Sequence, residues 1–205
     1  MTDFYQLFLE QLFATSLLEW LAVLLAIAYL LLAIKESRWC WPAAFFSTSI
    51  YVFLFFNVNL YMESLLNLYY LIMAIYGWQQ WQKKTTLTQQ KAILTWSVKT
   101  HMTLIGITIL LIVISAYLLN NYTSQDFALI DSFTTWFAVL ATYMVTQKVL
   151  ENWFYWIVID SVSIYLYLSK GFALTAVLFF SYIILAVIGW IVWKKHYEQQ
   201  VAYAT

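Results

Sequence analysis

Seven apolar stretches, at about residues 17–34, 41–57, 60–81, 102–119, 127–147, 152–169 and 172–193, leave this chain few ways to fold. Each is close to the roughly 17–25 residues that an α-helix needs to cross the hydrocarbon core of a bilayer. Lipid offers no partners to backbone amides, so each run must close its hydrogen bonds within itself, as a helix. Composition agrees. Hydrophobic residues make up 64% of the 205 and charged residues only 10%, whereas a soluble domain carries about 25% charged residues. A core of this size cannot hide that excess, so lipid must solvate most of the surface.

The placement of charge orients these helices. Lys35 and Arg38 follow the first run, and Lys83, Lys84, Lys91 and Lys99 follow the third. Lys148 follows the fifth, and Lys194 and Lys195 the seventh, while only Lys170 falls on the opposite side. Basic residues collect on the cytoplasmic face, so the N-terminus is expected outside and the C-terminus in the cytoplasm. Asp3 and Glu10 precede every basic residue, and no cleavable signal peptide is read. Residues 1–15 are taken as an extracytoplasmic segment in which Phe4, Tyr5, Phe8 and Leu12 form a helical stripe. That stripe fits an interfacial helix or an extension of the first span.

Other classes are excluded by what the chain carries. A formal net charge of zero argues against a nucleic-acid partner. The single cysteine, Cys40, rules out an internal disulfide, and four glycines without a Gly-rich loop leave no phosphate cradle. Cys40 reads as an inert loop residue. His101 and His196 have no acidic or Cys neighbour at metal-ligand spacing and read as solvated. No metal or cofactor is expected.

Gly77-Trp78-Gln79-Gln80-Trp81 recurs as Gly189-Trp190-Ile191-Val192-Trp193, and lysine pairs follow both. At an offset of about 114, Trp39 meets Trp153, Ser47 meets Ser161, Ser49 meets Ser163 and Tyr51 meets Tyr165. Trp20-Leu21-Ala22-Val23 resembles Trp136-Phe137-Ala138-Val139 at a slightly different offset. Spans one to three therefore repeat as spans five to seven. Residues 16–81 form the first three-helix repeat and 127–193 the second. Residues 82–126 supply a cytoplasmic loop and a linker helix, and 194–205 a cytoplasmic tail. The extra span restores the direction of the chain, so the fold expected is an all-α membrane protein with two parallel repeats. In a chain this apolar, such duplication points to transport.

Polar groups inside the spans are the informative exceptions, because buried ionisable residues are costly and mark pathways. Asn152, Trp156 and Asp160 are spaced by four and stack on one helical face over roughly 12 Å. Glu63, Asn67 and Tyr70 share a face of span three that continues toward Ala74 and Gly77. Glu19 and Asp131 lie near outer helix ends, and Gln147 and Lys148 near the inner end of span five. The helix dipole and water can satisfy Glu19, Glu63 and Asp131; Asp160 is mid-span and lacks that recourse. In the repeat Asp160 meets Phe46 and Glu63 meets Val177, so the scaffold is duplicated and the polar groups are not. An asymmetric ligand on the pseudo-axis needs that arrangement. Trp156 between Asn152 and Asp160, and Tyr69 or Tyr70 beside Asn67, add aromatic faces. Aromatic rings with carboxylates suit a flat, cationic heteroaromatic ligand. Pro42 opens span two, where it costs no helical hydrogen bond.

Trp41-Pro42 with Ser47 and Tyr51, Tyr76-Gly77-Trp78-x-x-Trp81, Glu151-Asn152-Trp153-x-x-Trp156-x-x-x-Asp160 and Gly189-Trp190 together resemble the Pnu vitamin transporters. The resemblance covers nearly the whole chain. It implies seven spans in a three-one-three arrangement like a full-length SWEET transporter, in a bacterial inner membrane, as a homotrimer. It also implies facilitated diffusion of a dephosphorylated vitamin, which a cytoplasmic kinase traps without forming a stable complex. By the same resemblance Asn152 and Trp156 line the ligand site, and the Asn67 face of span three contributes, with Asn67 where a Gln is expected. Ser47 and Trp41 are counted with them. Relatives carry nicotinamide riboside, thiamine or riboflavin. The carboxylates disfavour neutral riboflavin, and the short amide of Asn67 tilts the reading toward thiamine, with nicotinamide riboside next.

Rival classes fare worse. A retinal photoreceptor needs a lysine within the last span, and 172–193 has none. No Ser/His pair, His-Glu-x-x-His motif or paired aspartates stand at workable spacing, so the chain is read as a non-enzyme. A structural or chaperone-like role leaves the asymmetric polar faces unexplained. A proton carried by Asp160 or Glu63 would make the same uptake proton-coupled.

Overall fold

The computed structural model describes residues 4–57, 61–83, 91–122 and 127–204. Lys84, counted above among the basic residues, lies outside them. Among the described residues eight helices follow one another: α1 (Phe4–Ala14), α2 (Leu17–Ile34), α3 (Cys40–Asn57), α4 (Tyr61–Trp81), α5 (Val98–Tyr122), α6 (Ala128–Gln147), α7 (Asn152–Ser169) and α8 (Ala173–Ala204). Helices α2 to α8 fall on the seven apolar runs. Five of them (α2, α3, α5, α6 and α8) are long and apolar enough to cross a membrane. The five do not include α4 and α7, the helices that carry Glu63 with Asn67 and Asn152 with Asp160.

Local chemistry sets the helix ends. The N-terminal stripe is a helix of its own. Ser16 breaks it from α2 by capping the latter, its Oγ accepting from the Glu19 amide at 3.2 Å while Glu19 Oε2 accepts from the Ser16 amide at 2.8 Å. This reciprocal box satisfies two amides that α2 would otherwise leave unpaired, and it occupies the Glu19 carboxylate. At the other end of the chain, α8 continues to Ala204, through residues that the sequence reading treats as a tail. Lys194 and Glu198, one turn apart, pair there at 3.9 Å.

The chain divides into two compact units. One is drawn from Met1–Phe13, Thr95–Ala141 and Glu151–Val187, the other from Ala14–Leu94, Thr142–Leu150 and Ile188–Thr205. In the first, Gln11 of α1 holds the turn between α7 and α8. Its Nε2 donates to the Gly171 carbonyl at 2.7 Å, and its Oε1 accepts from the Leu174 amide at 2.9 Å. Trp136 Nε1 donates to Ser115 Oγ at 2.9 Å, tying α6 to α5. Lys170 pairs with Asp131 at 3.4 Å.

In the second unit α3 packs against both α2 and α4. Ser47 Oγ donates to the Ala22 carbonyl at 2.8 Å and Ser64 Oγ to the Val52 carbonyl at 3.0 Å, one tie on each side of α3. Gly77 lets α4 approach closely, because a Cβ there would overlap the Trp41 indole. That indole stands edge-on to Trp81, with ring centroids 5.4 Å apart.

The ends of α2 and α6 are built alike. After α2 the Glu36 amide donates to the Ala33 carbonyl and the Ser37 amide to the Leu32 carbonyl, at 2.9 Å each. After α6 the Lys148 amide donates to the Val145 carbonyl and the Val149 amide to the Met144 carbonyl, at 3.0 Å each. This paired pattern needs a left-handed residue after the helix, usually Gly. Helix α7 obeys the preference with Gly171 (φ 78°), whereas α2 and α6 put Glu36 (φ 53°) and Lys148 (φ 56°) there. The two side chains form an ion pair at 2.8 Å, with Lys148 only 1% exposed.

The second Trp of each duplicated motif completes the arrangement. Trp193 Nε1 donates to the Ala33 carbonyl at 3.0 Å, and Trp81 Nε1 to the Val145 carbonyl at 3.1 Å. Each indole thus fills the remaining lone pair of a carbonyl already used by a helix cap. Glu36 and Lys148 lie 112 residues apart, and the same offset relates Ala33 to Val145 and Trp81 to Trp193. The helix ends match at an offset of 112, where the sequence comparison used about 114. The Trp20/Trp136 match lies one helical turn out of that register.

The segment 91–94 docks on the same place. The Leu94 amide donates to the Lys148 carbonyl at 2.9 Å, and Leu94 accepts from the Leu150 amide at 2.7 Å. Lys91 Nζ donates to the Thr146 carbonyl at 3.1 Å and to Gln147 Oε1 at 2.8 Å. Burial, with repulsion from Lys83 and Lys148 added, pushes the Lys91 ammonium down to about 8.

Two outcomes follow from these contacts. Gly77→Ala should lower stability by about 2 kcal/mol, the usual cost of overpacking, read as a lower midpoint in thermal unfolding of the detergent-solubilised protein. Lys91 holds its proton less tightly when folded than its ordinary 10.5, so the unfolded chain binds more protons between about pH 8 and 10.5 and stability should rise with pH across that window. Lys91→Met should flatten the rise; an unchanged slope would show that Lys91 is not its source.

Candidate functional site

Helix α7 carries the clearest polar face. Asn152, Asp160 and Ser163 are buried along it, at 0%, 3% and 4% exposure, and half-buried Trp156 stands between the first two. The spacing of four, then three, keeps them on one stripe while Phe154, Val158 and Tyr165 face outward. No hydrogen bond or ion pair joins the Asp160 carboxylate to another described residue. Taking a carboxylate out of water costs several kcal/mol unless a partner answers it. A cation or a proton supplied from outside the chain is the ordinary means of meeting that cost.

The start of α7 is anchored by groups that the sequence reading missed. His101 Nδ1 and the Tyr155 hydroxyl share a hydrogen bond at 2.8 Å, and their rings stack with centroids 5.8 Å apart. His101 Nε2 lies 3.9 Å from Glu151, whose Oε2 also accepts from the Trp96 amide at 3.4 Å. Trp96 packs against the imidazole. His101 is therefore held in a cluster, with its side chain only 16% exposed, and is not solvated as its sequence neighbours implied. Tyr155 is one residue from Trp156, so this cluster fixes the rotation of the helix that presents the polar face.

His196 stays open to solvent, its side chain 43% exposed, but gains an acidic partner. Its Nδ1 lies 2.6 Å from Glu36 Oε1. In both cases the carboxylate partner comes from distant sequence, which local spacing cannot reveal. Cys40 is not a loop residue: it opens α3 and is fully buried. Lys148, counted above as a charge at the membrane surface, is buried beneath Glu36 and over the Trp81 ring, 4.8 Å from its centroid.

The remaining candidates lie in the second unit. Glu63 is exposed in the first turn of α4. Asn67 is half-buried and its Nδ2 donates to the Glu63 carbonyl, one turn back, at 2.9 Å. Tyr69 and Tyr70 are half-buried with ring centroids 5.8 Å apart. Ser47 spends its hydroxyl on Ala22, and Trp41 is wedged against Gly77 and Trp81. Among the described residues no group of three or more His, Cys, Asp or Glu side chains is placed to hold a metal ion.

The sequence of residues 16–195 matches the family described as nicotinamide mononucleotide transporter. The nicotinamide riboside transporter PnuC of Escherichia coli (strain K12) is 20% identical over 154 residues, which are 61% of this chain. The chain spans only 63% of that relative's length. The riboflavin/roseoflavin transporter RibM of Streptomyces davaonensis is 25% identical over 166 residues, 78% of this chain and 76% of its own. A crystal structure of the vitamin B3 transporter PnuC has the same fold, with a TM-score of 0.74 at 20% identity over 89% of this chain and 82% of that one. These are transporters, not enzymes. With 16–195 inside the match, the chain belongs to the Pnu vitamin transporter family and is a multi-pass membrane protein.

Proposed function

We propose that this protein takes up a small, dephosphorylated B vitamin by facilitated diffusion, and that the ligand is flat and cationic. The observation that carries the reading is the buried stripe Asn152–Trp156–Asp160, with its carboxylate unanswered by any described residue. Trp156 offers an aromatic face to a charged ring. Asn152 adds a side-chain amide to the same face, and Asp160 a counter-charge. Glu63, Asn67, Tyr69 and Tyr70 on α4, and Ser47 and Trp41 on α3, are second candidates whose substitution should have weaker effects.

Nicotinamide riboside is the substrate this reading favours. Its pyridinium suits the carboxylate, and its ribose hydroxyls suit Asn152 and Ser163. A preference for thiamine has no support from the relatives, of which one is named for nicotinamide riboside and another for riboflavin and roseoflavin. Riboflavin is disfavoured because a neutral ring leaves Asp160 without a counter-charge. Seven spans in two parallel repeats, like a full-length SWEET transporter, are supported by the matching ends of α2 and α6. The N-terminus outside, the C-terminus in the cytoplasm of a bacterial inner membrane, a homotrimer and a trapping cytoplasmic kinase complete the proposal.

Titration of the purified protein with nicotinamide riboside, thiamine and riboflavin should quench Trp emission most strongly with the first. A flat response to all three, in folded protein, would sink the substrate claim. Trp156→Ala and Asn152→Ala should each weaken binding roughly tenfold or more, by losing an aromatic or hydrogen-bonding contact. Unchanged affinity in both would refute the face. Counterflow in proteoliposomes should proceed with no sodium or proton gradient. A strict need for a proton gradient that Asp160→Asn abolishes would convert the mechanism to proton-coupled uptake.

A further inference from the structure

We propose that Glu36 and Lys148, with Trp81 and Trp193 around them, form the gate on the lysine-bearing side of the transporter, closed in this structure, and that each transport cycle opens it. The inference rests on the reading of the chain as a transporter and adds where its pathway is shut.

Backbone strain is the first observation. Helices α2 and α6 end in the same pattern, and each needs a left-handed residue after the helix. A side chain there costs about 1 kcal/mol over Gly. Helix α7, with the same pattern, uses Gly171. Two strained positions carrying opposite charges call for a use of those charges, since strain persists where surrounding structure or function demands it.

Burial is the second. Lys148 is 1% exposed and Glu36 11%, with their charged atoms 2.8 Å apart. Such a pair is a weak route to stability, because apolar side chains of equal volume hold a buried site as well or better. It does suit a contact that must be made and broken, since both ions hydrate readily once separated. His196 Nδ1 lies at the other Glu36 oxygen, and Lys148 also sits over the Trp81 ring. The clasp is therefore satisfied when shut.

Reciprocity is the third. Trp193 bonds to the end of α2 and Trp81 to the end of α6. Both indoles use carbonyls that already hold a capping amide. Releasing them leaves each helix cap intact, so the clasp can open without unwinding a helix. The lysine pair Lys194-Lys195 follows Trp193 directly, which puts the clasp at the lysine-bearing ends of the helices.

The test uses the full chain in proteoliposomes. In a Cys40→Ala background, Glu36→Cys with Lys148→Cys is bridged by a reducible bis-methanethiosulfonate. The bridged protein should still bind nicotinamide riboside, yet take up less than about a tenth of what it takes up after reduction, as expected when opening limits transport. Equal uptake in bridged and reduced protein overturns the proposal. A second measurement needs no transport: the rate at which an impermeant maleimide labels native Cys40, which is buried next to Trp41. Glu36→Gln and Lys148→Met should each speed labelling roughly tenfold by favouring the open state. The swap Glu36→Lys with Lys148→Glu should return it toward the wild-type rate. Single variants that label at the wild-type rate, or a swap as fast as the singles, overturn the gate. If wild-type protein moves none of the three vitamins, the transport reading fails and the labelling rates decide the gate alone.

Discussion

A helix in lipid must pair its own amides, and that constraint leaves the helix ends with the carbonyls freest to accept from elsewhere. This chain builds its specific long-range contacts there. Ala33 and Val145 each accept from a capping amide and from a distant indole. Lys91 reaches the Thr146 carbonyl in the same turn, and Leu94 bridges Lys148 and Leu150. Along the spans themselves two serine hydroxyls reach carbonyls of a neighbouring helix, Ser47 to Ala22 and Ser64 to Val52, and shape also packs them, as where Gly77 admits the Trp41 indole. The duplicated Gly-Trp-x-x-Trp serves both needs in the first copy. Its glycine allows close approach and its second tryptophan bonds to a helix end.

Most of the fold was legible because lipid imposes a simple length rule on sequence. The seven apolar runs fall on seven helices, and the break before α2 sits where Ser16 and Glu19 make a capping box. The continuation of α8 past Trp193 was not legible, because hydropathy records where apolar character stops and a helix does not have to stop with it. Hydropathy also misled at Lys148. A lysine after an apolar run reads as a surface charge, and only the fold brings Glu36 across to bury it.

The candidate site was legible in part for a related reason. Asn152, Trp156 and Asp160 share one helix, so spacing alone places them on one stripe. The cluster that fixes that helix was invisible. His101 meets Tyr155 and Glu151 across about 50 residues, and His196 meets Glu36 across 160. Charge pairing over such separations leaves no periodic trace. One trace did exist: Glu36 and Lys148 stand at matching positions after the ends of α2 and α6 with opposite charges. Aligning the repeats at an offset of 112 instead of about 114 would have exposed it.

Polar groups at the ends of these helices and polar groups along them face different costs. At the ends, Glu19, Asp131, Glu36 and Lys148 each have a hydrogen-bonded or charged partner within the chain. Their burial is compensated whether or not a ligand is present. Asp160 sits in the middle of α7, where no cap or dipole end is within reach and no described residue answers it. Exposed Glu63 can leave its charge to water, whereas buried Asp160 cannot. The proposed function supplies an answer: the cationic ligand is the partner of Asp160 while it is bound. The proposed gate faces a different demand, contacts that break without unfolding a helix, and the paired carbonyls at the ends of α2 and α6 meet it.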